Sequence, residues 1–573
     1  MIPYERQHRY RALATLALAI VALVVINLLS GAQIGGTRLY TAVDLTEDER
    51  FTLSDYTRRQ LYQLDQPVIA RVLLEGDLPA SYGRLQTAVR EKLEDMQDYT
   101  DNLTYEFVDP LVGTPEEVRE RQEAMLEDGI VPMTDYQQSA GERTTRAVYP
   151  YVLLYSGERQ RIVPLFQTAR ADVPITQQLN QAENLLEYNL SRGIARLTQT
   201  SQPTIGFTLG NGELRPLQFA DLVAELRQDY NVGPVLLDSV PTVPAEIDLL
   251  IVAKPTLPFT EQQAFKLDQY VMGGGRVIWA IDGVAMDYDS LQATGDAIAQ
   301  PRSTGLADIF FRYGFRVSSE LVLDLANSPI PIVTNQGQAG PKVTLVPFPY
   351  HVLALPASDH PIVQNIDAVD LRYPTLLEAV GSSEAVRTTT LLSSSDRSRT
   401  QAVPSGVDLD AQKFSVELER FSRRDLPLAM LLQGRFQSPY ANRLSRENER
   451  LLQDNGLTYR SESAPTAMVV ISDGDVLANS VNSRGEVGFL GVNPYSKVPY
   501  ANKVFMLNAI EYLLNPTGVI NSRGKQVRLR LLDQNRAQAE AGYWRVLNLG
   551  LPLLVLTIFG LVFTYLRRRR YAH

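Results

Sequence analysis

The stretch DLLIVAKPTLPFTEQQAFKLDQYVMGGGRVIWAID (Asp248–Asp282) reads as strand, helix, strand. Asp248–Ala253 and Arg276–Ile281 are short apolar runs, the composition of strands buried on both faces. Between them, Glu261–Val271 reads as a helix, closed by the turn Gly273-Gly274-Gly275. Two strands joined by a helical crossover imply a parallel sheet with helices packed on it. Upstream, strand Thr204–Leu209, the turn Gly210-Asn211-Gly212-Glu213 and helix Leu217–Tyr230 repeat the pattern. Downstream, strand-like runs return at Leu426–Leu432 and Ala467–Ile471, and helix Lys503–Leu514 ends at Asn515-Pro516. The Pro-, Ser- and Gly-rich segment Asp324–Gly406 reads as an insertion of loops and short strands.

A second α/β unit precedes this one. A helix at Asp55–Leu64, a strand at Val68–Leu74 and a helix at Ser81–Tyr99 are followed by strand Leu103–Val108 and the charged helix Glu116–Leu126. Ala147–Tyr155 and Arg161–Phe166 then read as a hairpin, and Thr176–Leu197 as a closing helix. The expected organisation is therefore α/β, with one domain at 40–200 and a second at 203–516 that carries the insertion at about 324–406.

Apolar runs flank both domains. Ala12–Leu29 and Val546–Leu566 contain no charged residue, and each is long enough to cross a hydrocarbon core of about 30 Å. Spans are expected at 12–30 and 545–566, with a stalk at 517–543. Arg6, Arg9 and Arg11 precede the first run, and Arg567–Arg570 follow the second. Positive flanks stay in the cytoplasm, so the tails 1–11 and 567–573 are expected there, with the body in the periplasm and the inner membrane between. Ser30-Gly31-Ala32 resembles a signal-cleavage site, but the run is longer than a signal core and reads as a retained anchor.

Net charge is −10 over 573 residues, and the tails are positive, so the body is more acidic still. An acidic body argues against nucleic acid as a partner. With no cysteine, disulfides, thiolate catalysis and thiolate metal sites are all excluded. Of four histidines, His351 and His360 lie in the body, beside prolines, and read as loop residues. The only Gly-Lys pair, Gly524-Lys525, is followed by Gln526, so the chain has no P-loop. The glycines at 273–275 end a helix where a phosphate loop would begin one, and read as a C-cap. Ser472–Asp475 (SDGD) misses the calcium-loop pattern at Leu477 and reads as a turn.

Ligands of open parallel sheets bind at the carboxyl ends of the strands. Asn211, Glu213, Lys254 and Asp282 all follow strands and should gather on one edge, as candidate ligand-binding residues. The alternative is plain turn chemistry, because Asn-Gly and Asp-Gly are standard turn dipeptides. Nothing indicates catalysis, and no catalytic residue, metal site or cofactor is expected.

Several long strings carry a family resemblance: ERFTLSDYTRRQLYQLDQPVIARVLLEGDLPASYGRL (Glu49–Leu85), YEFVDP (Tyr105–Pro110), AKPTLPFTEQQAFKLDQYVMGGGRVIWAID (Ala253–Asp282), SDHPIV (Ser358–Val363), NKVFMLNAIEYLL (Asn502–Leu514) and VRLRLLD (Val527–Asp533). They are collinear with, and similar to, the gliding-motility GldG family. That resemblance implies an accessory, substrate-binding-like subunit of an ABC-type transporter, working with a separate ATPase and a multi-span permease. It also implies a thioredoxin-like unit followed by a glutamine-amidotransferase-like domain similar to that of intraflagellar-transport proteins. Both would have lost their parent chemistry, since neither a CxxC pair nor an amidotransferase nucleophile can exist here. The rival expectations are a hydrolase-like enzyme acting at the strand-end edge and a scaffold with two anchors.

Overall fold

The computed structural model describes residues 52–571 apart from 140–141, 167–174, 200, 287, 336–340, 382–384, 410–417, 442, 516–517 and 525–539, together with positions 15, 18, 21–22, 33–34 and 37–38. The chain divides into two compact units, Met1–Lys525 and Gln526–His573. The first apolar run lies outside the described residues except at four positions, and most of the expected stalk lies outside them too.

The first half of the large unit begins with α1 (Asp55–Tyr62), β1 (Val68–Val72), α2 (Ala80–Gln97), β2 (Leu103–Phe107) and α3 (Pro115–Glu127). A separate hairpin follows, β3 (Met133–Ser139) with β4 (Glu142–Val148). Then come β5 (Tyr151–Ser156), β6 (Arg159–Pro164), α4 (Ile175–Asn184) and α5 (Leu186–Thr198). The main sheet has the order β2-β1-β5-β6, with β1 parallel to β2 and antiparallel to β5. The expected single closing helix is two, broken at Leu185, which is not helical. The hairpin β3–β4 had no counterpart in the sequence reading.

The second half is built on ten strands. β7 (Thr204–Leu209), β8 (Asn231–Leu236), β9 (Leu249–Ala253) and β10 (Arg276–Ala280) form its parallel part with a strand from far downstream, Thr466–Ile471. Helix α6 (Ala220–Leu226) follows β7, and α7 (Glu261–Met272) links β9 to β10. Strand β11 (Phe315–Asp324) leads up to the segment expected to be loops and short strands, which holds two long strands, β12 (Asn327–Asn335) and β13 (Pro341–Pro356), besides the shorter β14 (Val369–Arg372), β15 (Thr375–Ala379) and β16 (Val386–Ser393). With β17 (Pro427–Gly434) and β18, the Thr466–Ile471 strand, the sheet runs β8-β7-β9-β10-β18-β17-β16-β13-β12, and β14 pairs with β13. The sheet is thus parallel only as far as β18. Beyond it, β17 and then strands of the supposed insertion extend the sheet in antiparallel fashion. His351 accordingly sits in β13, not in a loop.

Alternation explains why the parallel strands are apolar throughout. On β9, Leu249, Ile251 and Ala253 join the core on one face, while Leu250 and Val252 join the core on the other. Helix α7 covers the second face with Ala264, Leu267 and Val271, packed around Trp279. It starts at a capping box formed by Thr260 and Gln263, and ends at Gly274, where φ is 95°. Helix α8 (Asn502–Leu514) covers the first face with Phe505, Met506, Ala509 and Leu513. Both edge strands carry proline: Pro234 in β8, and Pro329 and Pro331 in β12.

Helix α5 joins the halves through a buried charge network. Asp229 meets Arg161 at 2.6 Å, Arg192 at 3.0 Å and Arg196 at 3.7 Å. Glu511 on α8 meets Arg192 at 3.6 Å and Arg196 at 3.8 Å, and accepts the Tyr188 hydroxyl at 2.5 Å. Beside it, Leu185, Tyr188 and Val519 form a small core with Tyr56 against it. The start of the described body, α1, therefore lies next to its end, the turn Val519–Gly524.

The small unit holds α9 (Ala541–Tyr571), which contains Pro552 and is interrupted by no acidic residue. It is the one helix among the described residues long and apolar enough to cross a membrane. Its Thr557 and Thr564 hydroxyls donate to the carbonyls of Leu553 and Gly560, each at 2.7 Å, which hides their polarity within the helix.

Candidate functional site

Four loops leave the carboxyl ends of β7, β9, β10 and β18, and they carry all four sequence candidates. The structure distributes these candidates over two sets of partners. Lys254 directly follows β9 and takes φ 57°, a left-handed conformation. Its ammonium lies 2.5 Å from Asp475 Oδ2 and 3.7 Å from Asp282 Oδ2. Asp282 accepts the Gly474 N–H at 2.7 Å. Asp473, fully buried, accepts the N–H groups of Asp475 at 2.8 Å and Arg372 at 2.7 Å. Lys254, Asp282, Asp473 and Asp475 thereby tie the ends of β9, β10 and β18 together.

Asn211 and Glu213 look elsewhere. The Asn211 N–H donates to Glu213 Oε2 at 2.6 Å, and its side-chain amide donates to Gln263 Oε1 at 3.0 Å. The Asn211 carbonyl accepts from Thr256 and Leu257. This pair organises the β7 turn over the start of α7. Gly212, at φ 72°, leaves only 2.1 Å between a would-be Cβ and Thr256 Oγ1, so the turn tolerates no side chain there.

Burial sets the electrostatics of the cluster. It would lower the Lys254 pKa, but the carboxylates of Asp475, Asp282 and Asp473 outweigh it, and the net shift is upward. Burial raises Asp282, opposed by Lys254, and it raises Asp473 well above the usual carboxylate range, helped by Asp475 and Asp282. Asp370, behind the cluster on β14, is pushed up to about 6 by burial, against the pull of Arg372. An ammonium held charged among carboxylates is no nucleophile at neutral pH. The arrangement is suited to fastening strand ends.

Gly474 lies flat against Lys254, and a Cβ added there would stand 2.3 Å from Lys254 Cβ. Gly474→Ala should cost about 1–3 kcal/mol through overpacking, read as a lower urea midpoint of the full chain in detergent.

Asp473 and Asp475 are the residues that sequence reasoning set aside as a turn. The available signal was position: SDGD follows β18 just as Asp282-Gly283 follows β10. The two histidines are packing residues. His351 stands edge-on to Phe348 and Tyr373, and burial with Arg372 pushes it down to about 3. His360 stands edge-on to Tyr512, and burial with Arg387 pushes it down to about 4. Among the described residues, no group of three or more His, Asp or Glu is placed to hold a metal ion.

The same region carries the family signature. The profile of a family described as ABC-type uncharacterized transport system matches residues 202–509, more than half of the chain. The chain belongs to this family. The ABC-type transport match spans the ten-stranded sheet from β7 into α8, including both sets of strand-end residues. A domain of unknown function matches residues 47–155. An uncharacterized protein of Borreliella burgdorferi is 19% identical over 427 residues, covering 73% of this chain and 77% of its own. Among solved structures, the mmIFT52 N-terminal domain overlaps 55% of this chain and 98% of its own, at 11% identity and a TM-score of 0.29. The exo-beta-1,4-mannosidase Op5Man5 from Opitutaceae bacterium strain TAV5 overlaps 52% of this chain and 35% of its own, at 12% identity and a TM-score of 0.21. Overlaps this loose say nothing of function. Membership in the ABC-type transport family makes the chain an accessory component of a transport system, associated with a membrane through its apolar helix.

Proposed function

We propose that the chain is a non-catalytic subunit of an ABC-type transport complex, anchored at both ends in the inner membrane with its body in the periplasm. A separate ATPase powers the complex, and a multi-span permease supplies its path. The observation that carries this reading is α9, a helix of 31 residues with uncovered apolar side chains, attached to a body of a transport family. Arg567–Arg570 at its end favour a cytoplasmic C-terminus. The packing of Tyr56 against Val519 supports two anchors, because it puts both ends of the body on one side.

The sheet order of the first half supports the thioredoxin-like assignment, and the parallel strands of the second support the amidotransferase-like one. The GldG resemblance supports motility or secretion as the process served. The internally paired Lys254–Asp282–Asp475 cluster favours a binding role over the enzyme reading. At this edge the Asn211 Oδ1 and Glu213 Oε1 atoms are buried without a hydrogen-bond partner among the described residues, so a ligand would reach them by opening the β7 turn.

Affinity purification of the tagged chain from membranes in a mild detergent is expected to recover an ABC ATPase and a permease. Recovery of the chain alone, under conditions that keep other ABC complexes whole, would overturn the proposal. A protease that reaches only the cytoplasmic face should remove a tag placed after His573 and spare the body.

A further inference from the structure

A cavity of about 530 Å³ lies beside the carboxyl end of α7, a volume in the range of small-ligand pockets. The described residues that line it fall in 242–276 and 451–460, two stretches without a gap. Helix α7 runs back from the end of β9 to the start of the parallel strand β10, so the cavity sits at the amino ends of these strands. Lys254 and Asp282 stand at the opposite, carboxyl ends. One wall is the last turn of α7 with the glycine turn at 273–275, and a second is the segment before β9. The third is the end of a short helix, Arg446–Asp454, and the chain just after it. Gly456, at φ 63°, turns the chain there, and the Leu457 N–H closes on the Leu452 carbonyl at 2.8 Å. Gln269 pins this wall to α7, because its side chain accepts the Arg460 N–H at 2.9 Å and donates to the Arg460 carbonyl at 3.1 Å.

Two kinds of side chain share this space. Ile247, Leu451, Leu452 and Leu457 line it and are each only half-buried, so each keeps apolar surface uncovered. The charged residues on the walls are Asp248, Lys266, Arg276 and Arg460, three of them cations. Asp248 is committed to the start of β7, where it accepts the Thr204 N–H at 2.9 Å. Lys266 donates to the Leu237 carbonyl at 2.7 Å. The Arg460 guanidinium reaches over the glycine turn, with Nη1 4.0 Å from where a Cβ on Gly273 would stand. Arg276 follows that turn directly. Burial and then Asp248 raise the Tyr270 pKa, and Arg276 opposes them, so its charge is felt at this wall. A helix end repels anions through its free carbonyls. Here the carbonyls of Gln269, Tyr270 and Val271 accept the N–H groups of Gly273, Gly275 and Gly274, and that of Met272 accepts from Ala464. We infer that this cavity binds an amphipathic anion, its alkyl chain along Ile247, Leu451, Leu452 and Leu457 and its carboxylate or phosphate head on Arg276 and Arg460. This goes beyond the proposed transport role and does not depend on it.

The test is titration by saturation-transfer NMR of the full chain in lipid nanodiscs, set against empty nanodiscs that take up the same probes. Octanoate and octyl phosphate are the anions and separate the two head groups. Octanol and octyltrimethylammonium share the chain without the negative charge, and trileucine offers a free carboxyl terminus on a peptide. At least one anion should bind above the empty discs, and more tightly than octanol or the cation by about tenfold or more. Arg276→Gln and Arg460→Gln should each weaken it by about tenfold, the scale of one hydrogen bond to a charged group. Arg460 meets Gln269 through its main chain alone, so the Arg460 variant keeps that fastening, and its urea midpoint should match wild type. Arg460→Lys should recover part of the lost affinity. No anion binding above the empty discs, octanol binding as tight, binding of trileucine alone, or affinity unchanged in both glutamine variants would overturn the inference. Each of these leaves recovery of the ATPase and permease untouched, so the two proposals fail separately.

Discussion

Asp229→Ala is expected to destabilise the body by about 3–5 kcal/mol, the cost of removing one partner from a buried ion pair. The carboxylate is 5% exposed and faces three guanidinium groups. Without it, Arg192 and Arg196 keep Glu511 as the carboxylate of the network, at 3.6 and 3.8 Å, and Arg161 loses the carboxylate it meets at 2.6 Å. Partial burial also shields the network from added salt, so raising ionic strength should not rescue the variant. The readout is the urea midpoint of the full chain in detergent, with limited proteolysis beside it. The junction between α5 and β7 should become a cleavage site, because this network fastens one half to the other. A midpoint shift worth less than about 1 kcal/mol, the scale of an exposed pair, would mean that the apolar contacts around Leu185 and Tyr188 hold the halves together unaided.

Lys254→Met should have an effect of similar size with a distinct pH signature. The substitution keeps the stem that Gly474 packs on, and it removes the charge that Asp475 and Asp282 share. At pH 7.5 the loss should reach about 3–5 kcal/mol, since it strands buried carboxylates. The sign with pH follows from linkage. Asp282 and Asp473 already have raised pKa values in the folded state, and losing the ammonium raises them further. The folded variant therefore binds more protons than wild type, so its deficit is smallest below the unfolded carboxylate range and grows as pH rises through the folded values. Urea midpoints of both proteins at pH 5 and pH 7.5 should diverge toward the higher pH. A deficit that is constant with pH would point to lost packing alone.

Much of the fold is legible in the residues, for reasons that also mark where legibility ends. The β9–α7–β10 unit reads to within a residue because its strands are apolar on both faces and three glycines end its helix. The segment from β12 to β16 misreads because its prolines and polar residues imitate loop composition, while the strands that carry them lie at or toward the open edge of the sheet. The candidate site divides the same way. Polarity along the chain places Lys254 and Asp282 on one edge. It cannot say that Asp473 and Asp475, some two hundred residues beyond Lys254, come to join them. Nor does the break at Leu185 show in the sequence, where α4 and α5 share one apolar rhythm.

The prolines at the rims of the large sheet have a consequence for assembly. Pro329 and Pro331 are two apart, so they remove consecutive donors from the same side of β12, and Pro234 interrupts β8 at the opposite rim. A neighbouring polypeptide that tried to lengthen the sheet would find its ladder of hydrogen bonds broken at both margins. Copies of the chain would find the same obstacle to edge-to-edge pairing. Any protein that docks on the sheet rims would have to use loops and side chains rather than an added strand.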